Sequence, residues 1–190
     1  DVIRFGTEIS WFTSLVPAHV TDYAAPRGFQ TFDQSLRFRR EELDDVKALL
    51  GRVRQMQSDG YLLYDSHQYL DDIYRFVSNS PTTWRDKNRG VCDSPNLYFA
   101  LLPNGNFAPC CDFRVENSYP SYSSDFPQIY KSKEFREEVL GVTGSCDGCM
   151  YGSYPEMTIA MRFLQAKISR AMTFLAKPPK KNWPFTYEEL

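Results

Sequence analysis

The sequence lacks the features that define several common classes of protein. It has only two histidines among 190 residues, no glycine-rich phosphate loop and no Ser, His and Asp set that would support hydrolysis. Its unbroken apolar runs extend over only a few residues, so we expect no membrane-spanning segment, and no signal peptide is visible. The tyrosines and tryptophans are not interleaved with basic clusters, and the net charge is only −2. We therefore expect neither a membrane nor a nucleic acid as partner.

The composition is that of a folded chain with a substantial core. Of its residues, 42% are hydrophobic and 15% are aromatic, which is enough for one domain or two small ones. The five cysteines are an odd number, and the chain is long for a domain stapled by disulfides. We therefore favour a metal centre in a reducing cytoplasm over a disulfide framework. The sequence begins with Asp1 rather than Met, as expected if further residues precede it.

Four of the five cysteines follow one spacing. The pattern is, in order, Cys92, twelve residues, Gly105, four residues, Cys110, 35 residues, and the pair Cys146 and Cys149. Thiolates from two separated segments can converge on one centre, and the short gap inside the last pair keeps both sulfurs in one loop. Such a set suits either an iron–sulfur cluster or a structural zinc, and the spacing alone favours neither.

The middle of the chain predicts a β-hairpin that brings two of these cysteines together. Apolar residues 97–102 and 107–113 flank a segment that contains Asn104 and Gly105. An Asn-Gly pair between apolar runs is a strong hairpin signal, because both residues accept a positive φ. Gly105 then turns the chain so that Cys110 returns towards the start of the hairpin. After it, a short helix is predicted at residues 126–140.

The first part of the chain alternates between strand-like and helical segments. The strand-like segments are residues 2–9, 19–23 and 61–64. Residues 41–57 have apolar side chains at helical spacing, and Gly60 is expected to end this helix. A second helix follows, with Asp65 or Ser66 as its cap. This order predicts βαβ units with parallel strands, too few to close an eight-stranded barrel, so we interpret this part as a piece of a larger sheet.

The last part of the chain predicts one long helix that starts at Pro155 and ends before Pro178. Its apolar residues recur at helical spacing, and they are Met157, Ala160, Met161, Leu164, Ile168, Ala171, Met172 and Leu175. We interpret this methionine-rich stripe as core packing rather than as a cofactor or partner groove.

The cysteine pattern and its surroundings resemble those of a known enzyme family. The similarity is to radical S-adenosylmethionine (SAM) enzymes that carry a SPASM or twitch extension with auxiliary iron–sulfur clusters. Besides the four spaced cysteines, the similar segments are Leu102-Pro-Asn-Gly105 before Pro109-Cys110-Cys111, Ile129-Tyr-Lys-Ser-Lys-Glu-Phe135, and residues 41–77, which resemble the last βα units of the family's partial barrel. The resemblance covers about residues 1–152 and is most specific at the cysteines.

The resemblance implies an α/β chain in three parts. Residues 1–80 would be the C-terminal βα units of a partial (β/α) barrel. Residues 89–152 would form a small α+β domain, a twitch/SPASM-like iron–sulfur domain with a β-hairpin. Residues 153–190 would form a C-terminal helix and tail.

Two departures from the family pattern limit what the resemblance implies. No cysteine follows Cys149, whereas a full SPASM extension with two auxiliary clusters needs further cysteines. The resemblance therefore implies the twitch form, in which one auxiliary [4Fe–4S] cluster is held by Cys92, Cys110, Cys146 and Cys149. The Cys-x3-Cys-x2-Cys motif of the SAM-cleaving cluster is also absent. We expect S-adenosylmethionine and that second [4Fe–4S] cluster to be bound by a missing N-terminal half, so that this chain alone does not cleave SAM.

The implied function is radical chemistry supported by the auxiliary cluster. By resemblance, the enzyme is an oxidoreductase that abstracts hydrogen from a small-molecule substrate such as a sugar or aminocyclitol, with a peptide substrate as runner-up. A reducing partner such as flavodoxin or ferredoxin is expected. An alternative from another functional class is a non-catalytic binding module in which the four cysteines bind a structural zinc.

The other candidate site residues have plain structural alternatives. Cys111 is predicted to point away from Cys110, because neighbouring residues of a strand face opposite sides. It is either a small buried side chain or, by resemblance, a catalytic thiol that gives a hydrogen atom to a substrate radical.

Several polar residues follow predicted strands and would face SAM or substrate at the end of a parallel barrel. Asp65 and Ser66 are the main candidates, and Asp22 and Arg27 occupy similar positions. The alternative for Asp65 and Ser66 is that they only cap the next helix.

Overall fold

The structure, a computed structural model, describes residues 1–18, 38–84, 92–111, 113–144, 146, 148–151 and 153–175. Within these residues the chain is mostly helical and contains one small antiparallel sheet of two strands. The predicted strand 19–23, the candidates Asp22 and Arg27, and the end of the last helix at Pro178 lie outside the described residues.

The described fold consists of short elements. The helices are α1 Val2–Glu8, α2 Leu43–Ser58, α3 His67–Val77, α4 Ser94–Leu97, α5 Phe126–Lys131, α6 Lys133–Gly144, α7 Ser153–Arg162 and α8 Leu164–Leu175. A 3-10 turn, Arg40–Glu42, precedes α2. The strands are β1 Ala100–Leu101 and β2 Phe107–Ala108.

The two helices predicted in the first part of the chain are confirmed. Helix α2 buries Leu50 and Val53, and the chain turns after it at Gly60, whose φ is +93°. Glycine adopts a positive φ at low cost, so Gly60 ends the helix as predicted. Helix α3 starts after Ser66, whose hydroxyl accepts a hydrogen bond from the Tyr69 N–H at 3.2 Å. Of the two candidate caps, Ser66 is therefore the one that is used.

The prediction of a strand at residues 2–9 is wrong, because this segment forms helix α1. The Thr7 hydroxyl donates to the Ile3 carbonyl oxygen, one turn back, at 2.8 Å. It also accepts from the Leu62 N–H at 2.9 Å, which fixes α1 against the middle of the fold. The β-branched residues suggested a strand, but their intrinsic preference is weak enough for such tertiary contacts to override it.

Of the predicted partial barrel, the described residues show one contact between parallel strand-like segments. Leu63 is fully buried and forms a single parallel bridge to Thr13. The Thr13 N–H donates to the Leu62 carbonyl at 3.0 Å, and the Tyr64 N–H donates to the Thr13 carbonyl at 2.9 Å. Parallel pairing is therefore present, but no barrel is shown in the described parts of the chain. Helices rather than a sheet cover this side of the core.

The predicted β-hairpin is confirmed, although its strands are shorter than the apolar runs. Strands β1 and β2 pair antiparallel, with Ala100 opposite Ala108 and Leu101 opposite Phe107. Gly105 lies in the turn with a φ of +78°. Glycine adopts a positive φ at lower cost than other residues, so the turn explains why a glycine occupies this position of the spacing.

The helix predicted at residues 126–140 is divided into α5 and α6. The division falls at Ser132, whose ψ of 156° is incompatible with a helix. The Ser132 hydroxyl accepts a hydrogen bond from the Phe135 N–H at 3.2 Å and so caps α6. Phe135 and Val139 of α6 then pack against Phe107 of the hairpin in a small second core.

The main core contains residues from all three predicted parts of the chain. It joins side chains of α2 and α3 to Trp84, Met150, Ile159 and Ala166. The boundaries of the predicted parts stay predictions. None of the described helices is long and apolar enough to cross a lipid bilayer.

The methionine-rich stripe does not pack in the core of the described chain, and that prediction is wrong. The predicted long helix is interrupted at Phe163, between α7 and α8. Ala160 is buried. Most other members of the stripe are exposed, namely Met161, Leu164, Ile168, Ala171, Met172 and Leu175. The inner side of α8 holds Ala166 and Arg170 instead, which turns the stripe outward.

We expect Gly105→Ala to destabilise the protein and Gly51→Ala to stabilise it. A Cβ at position 105 would lie 2.8 Å from the Tyr122 ring at a φ of +78°, and a positive φ costs alanine about 1 kcal/mol or more. Gly51 lies inside α2, and a Cβ there would meet nothing within 4 Å. Alanine at position 51 should therefore gain about 0.5–1 kcal/mol.

The free energy of unfolding of both variants and the wild type is measured by urea titration with circular dichroism. If both substitutions changed the free energy of unfolding by the same amount, the expected strain at Gly105 would be contradicted.

Candidate metal centre

The four spaced cysteines line one cavity. Its volume is about 30 Å³, and its wall is completed by Trp84, Pro109, Phe113, Thr143, Tyr151 and Tyr154. The cysteines of the chain form no disulfide in the structure. The fold therefore brings together the side chains that the spacing singled out, inside a mainly apolar and aromatic wall.

Three segments deliver these cysteines to the cavity. Cys92 lies just before α4, and Cys110 follows β2 by way of Pro109. Cys146 and Cys149 lie between α6 and α7. Gly148 turns the chain between them with a φ of +89°, so that both thiols reach the same cavity.

Backbone N–H groups donate to the sulfurs of Cys110, Cys146 and Cys149. The pairs, donor first, are Phe113 to Cys110 at 3.2 Å, Gly148 to Cys146 at 3.3 Å, and Tyr151 to Cys149. Hydrogen bonds of this kind stabilise negative charge on sulfur and are typical of the surroundings of metal-bound thiolates.

The four thiols are close enough to influence one another's ionisation. Burial raises the pKa of the Cys149 thiol well above its usual value, and the Tyr151 N–H lowers it. The charges of the neighbouring thiols raise the pKa of Cys149 further, in the order Cys146, Cys92 and Cys110. Four thiolates share a cavity at low cost only if positive charge lies between them. The donor set therefore fits a cationic metal group, whose binding supplies that charge and releases the thiol protons.

The cavity that the four thiols line is small. In the part of the chain that the structure describes, no three His, Cys, Asp or Glu side chains are placed to hold a metal ion. A tetrahedral zinc keeps four sulfurs about 2.3 Å from its centre, and an iron–sulfur cluster bound by the same four thiolates would also occupy the space between them. A cavity of about 30 Å³ accepts a body larger than one water molecule.

Cys111 is exposed, so the prediction of a small buried side chain at this position is wrong. The hairpin strands end at Ala108, and no sheet face is left to cover Cys111. It does not line the cavity, as expected if it faces away from Cys110. Its Sγ lies 3.0 Å from the hydroxyl oxygen of Tyr154, a buried residue of the cavity wall. Burial and this contact raise the pKa of Tyr154, which keeps the phenol neutral.

Asp65 and Ser66 lie in a buried polar cluster and do not line the cysteine cavity. Asp65 accepts hydrogen bonds from the Ser14 hydroxyl at 2.6 Å and from the Leu15 N–H at 2.7 Å. The N–H and hydroxyl of Ser66 donate to the Glu156 carboxylate at 3.2 and 3.0 Å. Both residues are therefore held by internal hydrogen bonds, and their contact with SAM or substrate stays a prediction.

Burial disfavours the charged forms of the two carboxyl groups in this cluster. It raises the pKa of Asp65 to about 6, although bonds from Ser14 and Leu15 lower it. Burial raises the pKa of Glu156 to about 8, against the lowering effect of its bonds from Ser66. Arg170 Nη1 lies 3.9 Å from Glu156 Oε1, too far for a hydrogen bond, so burial stays the dominant influence.

Arg162 of α7 ties two parts of the cavity wall together. Its Nη1 donates to the Trp84 carbonyl at 2.5 Å, and its Nε donates to Asp93 Oδ2 at 2.8 Å. The Asp93 N–H donates to Thr158 Oγ1 at 3.2 Å. Because Asp93 directly follows Cys92, helix α7 holds the first cysteine segment through two bonds.

Sequence reasoning missed Trp84, Glu156 and Arg162. A charged residue on a helix is usually solvated. An acidic side chain in the first turn, such as Glu156 of α7, predicts only a favourable interaction with the helix dipole. Trp84 is a lone aromatic residue outside any periodic segment. No local pattern could have identified these residues, because their contacts join segments that are distant in sequence.

Comparison of the chain with protein-family profiles, curated proteins and solved structures gives no match. The support for a metal centre therefore comes from the thiols, their N–H donors and the cavity itself.

We expect Glu156→Gln to flatten the pH dependence of stability. The folded-state pKa of Glu156, about 8, lies above its usual value of 4.5. Between these values the folded protein binds more protons than the unfolded chain, so the wild type loses stability as pH rises through this window. Glutamine keeps a neutral hydrogen-bonding side chain and has no proton to lose.

The free energy of unfolding is measured by urea titration at several pH values across this window. Glu137→Gln, which changes an exposed carboxylate of α6, serves as the matched control and should follow the wild type. A wild-type stability that rises through the window would contradict the raised pKa of Glu156.

Proposed function

We propose that this chain binds one [4Fe–4S] cluster through Cys92, Cys110, Cys146 and Cys149. The observation that carries the proposal is the single cavity that these four thiols share. Cysteine thiolates are the usual ligands of iron–sulfur clusters. When bound, such a cluster supplies one-electron transfer or a structural tie, because four protein ligands leave no iron open to a substrate.

The residues around the cavity support this role by fixing the sulfurs and limiting water. The N–H groups of Phe113, Gly148 and Tyr151 offset the negative charge on the thiolates. Aromatic and proline side chains form much of the wall. Hydrogen bonds to sulfur and limited solvent access are the means by which proteins adjust the reduction potential of such a centre.

We further propose that this centre is the auxiliary cluster of a twitch-type radical SAM enzyme. The cysteine spacing, the hairpin with its turn at Gly105 and the helix before Cys146 support this class. SAM and the SAM-cleaving cluster would be bound by residues outside this chain, which would also complete the partial barrel. The substrate would be a small molecule, with a peptide as runner-up. A flavodoxin or ferredoxin as reductant and a cytoplasmic location fit a centre that needs reduced thiols.

A structural zinc in a non-catalytic module is the second candidate. The observation in its favour is that the four thiols form a complete ligand set for tetrahedral zinc. The metal content of the purified protein distinguishes the two candidates.

We expect protein prepared without oxygen to be brown, to absorb broadly near roughly 400 nm and to contain about four irons per chain. Cys110→Ser and Cys146→Ser should each lose most of the iron, because each removes one ligand. Cys111→Ser is the matched control, since it changes a neighbouring thiol that does not line the cavity. Iron, zinc and sulfide are measured together with the absorption spectrum. Colourless protein with one zinc per chain would rule out the cluster.

We expect Cys111→Ala to abolish product formation in the complete enzyme while the cluster absorbance is retained. In the proposed step, the Cys111 S–H bond breaks homolytically, the hydrogen atom forms a C–H bond on the substrate radical, and a thiyl radical is left. The exposure of Cys111 permits such contact. Turnover and absorbance are measured on the same samples, and unaffected turnover would dispose of this role.

A further inference from the structure

One buried donor in the wall of the cysteine cavity has no hydrogen-bond partner. It is the indole Nε1 of Trp84, a residue that is only 1% exposed. Trp84 is also one of the residues that line the cavity. Other unpartnered buried side-chain atoms in the described residues belong to side chains that do not line it, namely Arg54, Gln57, Thr82 and Arg170. The side chain that carries this unpartnered donor and the four thiols therefore line one cavity.

An indole N–H without an acceptor is unfavourable inside a protein. Buried polar groups are nearly always hydrogen-bonded, and one that is not usually indicates a bound water, ion or ligand. The indole nitrogen only donates, so its missing partner is an acceptor. The thiolates that share the cavity, and the group that they would bind, offer such acceptors.

The backbone of Trp84 is held on both sides and its side chain packs in the main core, which together fix the indole in the cavity wall. Its N–H donates to Oδ2 of the buried Asp72 at 3.1 Å, and its carbonyl accepts from Arg162 Nη1 at 2.5 Å. Arg162 also donates to Asp93, the residue after Cys92. One arginine thus sets the position of the indole relative to the first cysteine. A donor held in this way needs little reorganisation to bind an acceptor.

We propose that the Trp84 Nε1–H donates a hydrogen bond to a sulfur atom of the metal centre and thereby raises its reduction potential. The inference rests on the proposed iron–sulfur cluster. Reduction adds one electron to the centre, and a hydrogen bond to sulfur stabilises the added negative charge. Trp84 then adjusts the potential of the centre in addition to packing in the main core.

The first test replaces the donor and keeps an aromatic ring. In cluster-loaded W84F, the ratio of reduced to oxidised cluster at a fixed potential should fall about tenfold, which is 59 mV for a one-electron couple. The potential is measured by redox titration monitored by electron paramagnetic resonance. W11F is the matched control, because Trp11 is 62% exposed and does not line the cavity, and its potential should equal that of the wild type.

A second measurement detects the hydrogen bond itself and does not depend on W84F keeping its cluster. The sequence has three tryptophans, so the W11F/W183F variant retains only Trp84. With nitrogen-15 in the indole ring, the reduced cluster should show a nitrogen-15 coupling in pulsed paramagnetic resonance. It should also show a proton coupling that is lost after exchange into heavy water.

The outcomes separate this inference from the proposed function. If the iron content is full but the indole coupling is absent, or if the W84F potential is unchanged, the role of Trp84 is overturned and the iron–sulfur centre stands. Protein that binds zinc and no iron would overturn both.

Discussion

The convergence of four thiols on one cavity is the constraint on which the arrangement around it depends. Burial raises the pKa of Cys149 most, and each neighbouring thiol that ionises raises it further. Backbone N–H groups that donate to Cys110 and Cys146 offset part of the negative charge. In the proposed cluster-bound state, a cationic group offsets the rest. Metal binding and local folding would then be coupled, because that group would stabilise together the segments that carry the cysteines.

Helix α7 carries side chains that keep these segments in place. Glu156 accepts two hydrogen bonds from Ser66 at the start of α3, while Thr158 and Arg162 both bind Asp93. A buried ionised carboxylate would be costly. The raised pKa of Glu156 keeps this group largely protonated at neutral pH, so it joins two helices without a full buried charge. The hydrogen bonds that join α7 to α3 and to the first cysteine segment are therefore directional. Their cost in desolvation free energy is modest, because the buried Glu156 is largely neutral.

The cysteine spacing, the hairpin turn and the helices of the first part could be predicted because their causes are local. An Asn-Gly turn at Gly105 and an apolar period along α2 depend on residues close in sequence. Helix α1 could not be predicted, because Thr7 is fixed by Leu62, which is 55 positions away. Trp84 and Arg162 gave no signal for the same reason. They are placed at the candidate site by hydrogen bonds between segments that are distant in sequence. Prediction from hydrophobic periodicity needs several residues in a regular pattern, and each of these residues stands alone.

The orientation of α8 differs from the one that its apolar period predicted. The methionine-rich stripe was expected to face the core, yet the structure turns Arg170 inward, 4.2 Å from the centre of the Tyr64 ring and 3.9 Å from Glu156 Oε1. Successive helical residues are rotated by about 100°, so Ile168 and Met172, two positions to either side, point away from the core. A cation–π contact of a partly buried guanidinium contributes about 1–2 kcal/mol, at most comparable with burying one such apolar side chain. The inward position of Arg170 and the exposure of the stripe therefore go together, since the period alone fixes a face of the helix but not the direction in which it points.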